Sequence, residues 1–100
     1  MKVIARPIGT GKTKELMDAA LEADGLILTT NKRALATKAH AYGFDSLAII
    51  DLADLLYGDF DSGKPLFIHK LDDVAKEYIE KDFGLKLEGY SVALEEKWVI

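Results

Sequence analysis

Residues Arg6 to Thr13 read Arg-Pro-Ile-Gly-Thr-Gly-Lys-Thr, and this is the stretch whose residue types and spacing can do chemistry. Gly9 and Gly11 permit backbone conformations, and an approach to a ligand, that a Cβ would block. In a turn of this kind between strand and helix, successive backbone N–H groups converge on one point and seat an anion such as phosphate. Lys12 can then reach the β- and γ-phosphates of a nucleoside triphosphate, and the Thr13 hydroxyl can hold a magnesium ion. Such a turn needs a strand before it and a helix behind it. Val3-Ile4-Ala5 supplies a short apolar run, and a helical pattern begins at Lys14.

The rest of the chain continues that alternation. Leu16, Ala20 and Ala23, with Met17 and Leu21 beside them, make an apolar face for a helix over Lys14 to Asp24 that Gly25 ends. Leu26-Ile27-Leu28 is the continuous apolar run of a buried parallel strand. Thr29-Thr30-Asn31 offers capping side chains for a second helix with Leu35, Ala39 and Tyr42 inward, stopped at Gly43. Leu47 to Ile50 reads as a further strand, Leu52 to Tyr57 as a short helix, and Leu66-Phe67-Ile68 as another strand. Asp72 and Asp73 open a helix with Val74, Ala75, Tyr78 and Ile79 along its stripe, and alternation around Tyr90, Val92 and Leu94 suggests a last strand at an edge. Strands alternating with helices imply an α/β fold whose sheet is mostly parallel, of about five strands, in a single domain spanning residues 1–100.

With its flanking strand and helix, the Arg6–Thr13 segment resembles the Walker A motif of P-loop nucleotide hydrolases, in the Pro-x-Gly-Thr-Gly-Lys-Thr form common among ATPases. The resemblance covers residues 3–24 in sequence and residues 25–83 in topology. In size, and in the segment Thr29 to Gly43, the chain is similar to small P-loop proteins of bacteriophages. The resemblance implies a P-loop-type three-layer sandwich that binds ATP and Mg2+. Arg6, Pro7, Ile8, Gly9, Thr10, Gly11, Lys12, Thr13 and Lys14 would contact the nucleotide, with Lys12 also catalytic and Thr13 on the metal. One position departs: Arg6 stands where the motif has its first glycine, and Pro7 biases it toward an extended conformation.

Hydrolysis also needs a carboxylate near the metal and a group that positions water. Asp51, after the apolar run Leu47 to Ile50, is one candidate for the metal's outer shell; Leu52 follows it, so no glutamate stands next in line. Its alternative role is N-cap of the following helix. In the second candidate strand His69 and Lys70 occupy the acidic positions, with Asp72 just beyond as a possible outer-shell ligand or helix cap. His69 could contact the γ-phosphate or act as a base, or be an ordinary hydrogen-bonded structural residue. His40, among alanines in the second helix, reads as structural.

Composition narrows the rest. The net charge of −4 is uneven: seven basic against five acidic residues in the first fifty, six against twelve in the second. An acidic second half does not support nucleic-acid binding. With no cysteine there is no disulfide framework or thiolate metal site, and no apolar run approaches a membrane span of ~20 residues. A cytoplasmic protein is expected. The expected function is ATP–magnesium binding by a phage-derived P-loop protein with slow or partner-dependent hydrolysis, the partner being another protein or a second copy. The alternative is a non-catalytic adaptor or inhibitor that meets a host protein through Asp59, Asp61, Asp72 and Asp73.

Overall fold

The computed structural model describes residues 11–89 and residue 91. In these, α1 (Lys12–Glu22), β1 (Leu26–Leu28), α2 (Lys32–Ala41), β2 (Ala48–Ile50), α3 (Leu52–Tyr57), β3 (Leu66–Ile68) and α4 (Leu71–Glu77) follow in order, and α4 runs on into a π-helical turn, Tyr78–Asp82. The three described strands form one all-parallel sheet in the order β2-β1-β3. Ile27 lies opposite Ile49 on one side and Phe67 on the other.

Side chains alternate across a strand, so this register sorts the apolar residues between two faces. Ile27, Ile49 and Phe67 share the first face, where Met17 and Ala20 of α1 and Leu35 and Ala39 of α2 pack against them. Leu26, Leu28, Ile50 and Ile68 share the second, covered by Leu52 and Leu55 of α3, Phe60, and Val74 of α4. Helices on both faces are what an all-parallel sheet requires, and they explain why Leu26-Ile27-Leu28 is apolar without alternation. The crossover from β1 to β2 runs through α2 on the first face. The crossover from β2 to β3 runs the other way through α3 on the second. Reversing direction and face together keeps both crossovers of one hand, in keeping with the rule for parallel units.

The ends of these elements follow local chemistry. The Asn31 side chain accepts from the Ala34 N–H at 3.0 Å and starts α2. Asp51 and Asp54 form a reciprocal capping box at the start of α3: the Asp51 carboxylate accepts from the Asp54 N–H at 2.9 Å, and the Asp54 carboxylate from the Asp51 N–H at 3.1 Å. Lys32 Nζ donates to the same Asp54 carboxylate at 3.0 Å and ties α2 to α3. That contact holds the Asp54 carboxyl below the usual carboxylate range and raises the Lys32 ammonium.

Several expectations shift. The first helix begins at Lys12 rather than Lys14, and Met17 and Ala20 are its buried residues while Ala23 is exposed. Tyr42 is not inward: it is 46 % exposed at the end of α2, its ring tilted toward Phe44. The last helix is capped by Lys70, in a left-handed conformation with φ 57°, so Asp72 is a first-turn residue and not its cap. The strand expected at Val3 to Ala5 lies outside the described residues, as does that around Tyr90 to Leu94 except for Ser91, which is in no strand; the described sheet has three strands where about five were expected.

Gly25 marks the tightest join. A Cβ there would lie 2.8 Å from the Pro65 carbonyl oxygen and 2.8 Å from the Phe67 ring. The same Pro65 carbonyl accepts the Leu26 N–H at 2.8 Å, so relief by backbone movement would disturb the entry to β1 and β3 together. Gly25→Ala is therefore expected to destabilise the chain by about 1–3 kcal/mol, the range for overpacking. Urea denaturation reads this as a lower midpoint; an unchanged midpoint would contradict the packing described.

Candidate functional site

The candidate site sits where the carboxyl ends of β1 and β3 meet the start of α1. From β1 the chain leaves toward α2 on the first face, and from β3 toward α4 on the second. Parallel sheets open a crevice between strands whose connections diverge in this way, and ligands bind there.

Three side chains meet in that crevice. Thr29 and His69 each stand one residue past a strand and extend its ladder. The Thr29 N–H donates to the Ile50 carbonyl at 3.0 Å, and the His69 N–H to the Leu28 carbonyl at 2.9 Å. This fixes the two backbones side by side, and Thr29 Oγ1 lies 3.1 Å from His69 Nδ1. The other ring nitrogen, His69 Nε2, lies 3.4 Å from Thr13 Oγ1 in the first turn of α1. The imidazole thus bridges the sheet edge and the helix that carries the Lys-Thr pair.

Of the Arg6–Thr13 segment, the described part is the start of α1. Gly11 is its N-cap in the left-handed conformation, φ 80°, with no side-chain cap. Nothing lies within 4 Å of where a Cβ would be, so the glycine serves the backbone conformation rather than a close contact. Lys12 is the first helical residue, half-buried like Thr13, while Lys14 is exposed. Arg6, Pro7, Ile8, Gly9 and Thr10 lie outside the described residues.

Of the two acids expected near the metal, Asp51 is turned to another task. Asp51 follows β2, on the far side of β1 from His69, with its carboxylate engaged in the capping box of α3. Asp72 is exposed in the first turn of α4. Asp73 next to it is the acid whose charge reaches His69. Among the described residues no three His, Asp or Glu side chains gather to hold a metal. A cation at Thr13 would thus meet an imidazole where a carboxylate was sought, and would need phosphate oxygens and water to complete its shell. His40 is exposed at the other end of α2 and pairs with Asp45 at 2.6 Å. An open groove of about 770 Å³ runs along α2 past Arg33, Thr37 and His40, with Asp51 on its wall. Neither Thr13 nor His69 lines it, so it is separate from the Thr13–His69–Thr29 cluster.

Two features of the site were legible only in part. Thr29 was read as helix-capping chemistry, and its hydroxyl instead holds the imidazole. Its position directly after an apolar strand, facing the carboxyl edge, was the available clue. Asp73 was read as a helix opener and as part of an acidic surface, and its charge also reaches His69.

Burial pushes the His69 imidazole below its ordinary pKa; the nearby Lys70, Lys38 and Lys12 cations add to this, and Asp73 opposes them. Burial and the neighbouring cations thus favour the uncharged imidazole.

Compared with known proteins, the chain matches no family model, no curated protein and no solved structure.

Two outcomes follow from this geometry. A histidine with a depressed folded-state pKa binds its proton more weakly folded than unfolded, so its stabilising contribution is complete above the unfolded value near 6.5 and is lost as pH falls through the folded value. His69→Gln should flatten the fall in thermal midpoint between pH 7 and pH 5 relative to the parent; identical pH profiles would contradict a lowered pKa for the half-buried imidazole. Asp51→Ala should cost about 0.5–2 kcal/mol of stability by removing a cap. Urea denaturation reads that cost as a lower midpoint; an unchanged midpoint would contradict the capping box.

Proposed function

We propose that the chain is a nucleoside triphosphate-binding P-loop protein, with ATP and a divalent cation as its ligands and with hydrolysis that is slow or depends on a partner. The observation that carries this reading is the docking of the α1 N-terminus: left-handed Gly11, then Lys12 and Thr13, with the Thr13 hydroxyl beside His69 at the carboxyl edge of the sheet. The Walker A resemblance supplies the order Gly-Thr-Gly-Lys-Thr, and the crevice between β1 and β3 supplies the location such a motif needs.

In this reading the loop before α1 and the helix N-terminus hold the phosphates through backbone N–H groups. Lys12 contacts the outer phosphates, and Thr13 lends its oxygen to the cation. The bound cation neutralises charge on the phosphate oxygens. His69 orients the Thr13 hydroxyl, and Thr29 orients His69. Among the described residues no carboxylate is hydrogen-bonded to Thr13 or His69, and both ring nitrogens of His69 already have threonine partners, so neither residue is set as a base for water. That chemistry favours binding over turnover. An arginine from a neighbouring subunit would be the simplest way to raise the rate.

The finer architecture belongs to the same proposal: a three-layer sandwich of about five strands, in which Val3 to Ala5 feeds the loop. The phage derivation and cytoplasmic location rest on the resemblance and on composition. A non-catalytic adaptor is the outcome if nucleotide does not bind; Asp59, Asp61, Asp72 and Asp73 are all exposed for that role.

Lys12→Ala should weaken ATP binding at least about tenfold in titration calorimetry, because a charge-assisted contact contributes roughly 1.5–3 kcal/mol. Phosphate release by the parent should run well below the ~1–10³ per second of typical enzymes. Equal binding by mutant and parent, or no binding by the parent at millimolar ATP, contradicts the proposal.

A further inference from the structure

The hydrogen-bonded chain from Thr29 through His69 to Thr13 joins two parts of the fold that are held to different degrees. We propose that His69 is an acid-sensitive latch: when its ring takes up a proton, the first turn of α1 leaves the carboxyl edge of the sheet while the rest of the fold stays in place. The latch belongs to the folded chain itself and works with or without a nucleotide.

One end of the chain of contacts is firmly fixed. The Thr29 N–H donates to the Ile50 carbonyl at 3.0 Å, and the His69 N–H to the Leu28 carbonyl at 2.9 Å. Thr29 is almost fully buried, and its Oγ1 lies 3.1 Å from His69 Nδ1. The other end is the start of a helix. Met17 and Ala20 anchor the middle of α1 in the first-face core. Thr13 lies a turn nearer the beginning, half-buried, with its Oγ1 3.4 Å from His69 Nε2. Gly11 caps the helix without a side-chain hydrogen bond. The first turn of a helix lacks intrahelical partners for its N–H groups, and such ends open at less cost than the middle.

Charge decides what a proton does at this junction. A neutral ring suits both threonines, donating to one hydroxyl and accepting from the other. A protonated ring donates at both nitrogens, so the second hydroxyl loses its acceptor. The added charge is repelled by Lys12 at the start of α1, Lys38 on α2 and Lys70 in the turn before α4, and only Asp73 of α4 attracts it. It also stands at the positive end of the α1 dipole, where cations are disfavoured. Half-burial adds a desolvation cost. Withdrawal of the first turn of α1 admits water to the ring and removes the Lys12 and dipole repulsion. Thr29 cannot withdraw in the same way, because its backbone is bonded within the sheet. The docked form therefore holds the His69 proton more weakly than the undocked form, and falling pH favours undocking.

The test is amide hydrogen exchange of the full chain, followed by NMR from pH 7 down through the midpoint of the His69 ring titration. The Glu15 amide reports the first turn, because it donates to the Gly11 carbonyl at 3.1 Å. The Leu26 and Thr29 amides, bonded to the Pro65 and Ile50 carbonyls, report the sheet. Corrected for the intrinsic pH dependence of exchange, Glu15 protection should fall about fivefold or more across this interval, the scale of one hydrogen bond's net contribution. Leu26 and Thr29 protection should hold. In His69→Gln, whose side-chain amide can still bridge the two threonines but does not titrate, Glu15 protection should no longer depend on pH. Constant Glu15 protection in the parent overturns the latch, as does loss of protection at Glu15, Leu26 and Thr29 together, which is general unfolding. Both outcomes are read from the parent alone, whether or not the variant folds. The same pH-dependent loss at Glu15 in a folded His69→Gln chain also overturns it and assigns the effect to another titrating group.

Discussion

The burial of β1 is the constraint from which the rest follows. Leu26, Ile27 and Leu28 are all buried, with a parallel strand on each side and a pair of helices on each face. A central strand of three residues cannot shift its register without moving Ile27 out of the Met17–Leu35–Ala39 cluster, and one residue of slip would exchange the two faces. All three strands point the same way, so their carboxyl ends are gathered at one edge. The residues just past them, Thr29, Asp51 and His69, are brought there by the hydrophobic sorting rather than by attraction for one another. The polar groups at that edge then divide. Asp51 turns to its helix, while Thr29 and His69 turn to each other and to α1.

Much of this was legible because the governing interactions are local. The uninterrupted apolar run at Leu26 to Leu28, the glycine before it, Asn31 ahead of α2 and Asp51 ahead of α3 all act within a few residues of themselves. What escaped depends on contacts distant in sequence. Lys70 adopts φ 57° although its residue type does not favour it. The His69 N–H is bound to Leu28 on one side and α4 must lie on the second face on the other, and that pair of demands sets the turn. Tyr42 fits the helical stripe by spacing, yet α2 ends before the sheet can cover it. The π-helical turn at Tyr78–Asp82 follows α4 without any Gly or Pro within it to announce the change.

The candidate site shows the same division. Its Lys-Thr pair and its helix start were legible from type and spacing. The partner of the threonine was not. Apolar strands ending in Asp drew attention to Asp51, but the edge on which a strand lies decides which residue faces Thr13, and strand order is a tertiary property. With β3 rather than β2 beside β1 on the α1 N-terminal side of the contact, a histidine meets the hydroxyl. The site thereby acquires a neutral, rigidly oriented imidazole in place of a negative charge. Under the nucleotide-binding proposal such a site would hold phosphate through backbone N–H groups and Lys12 while doing less to activate water.

The measurement that bears most directly on this account is an amide and side-chain NMR titration of the intact chain with ATP in the presence of a divalent cation. The account predicts that Gly11, Lys12 and Thr13 amides and the His69 ring resonances shift together along one binding curve, while Asp51 and the groove residues Thr37 and His40 stay still. Shifts confined to the α2 groove, or none at millimolar ATP, would contradict it.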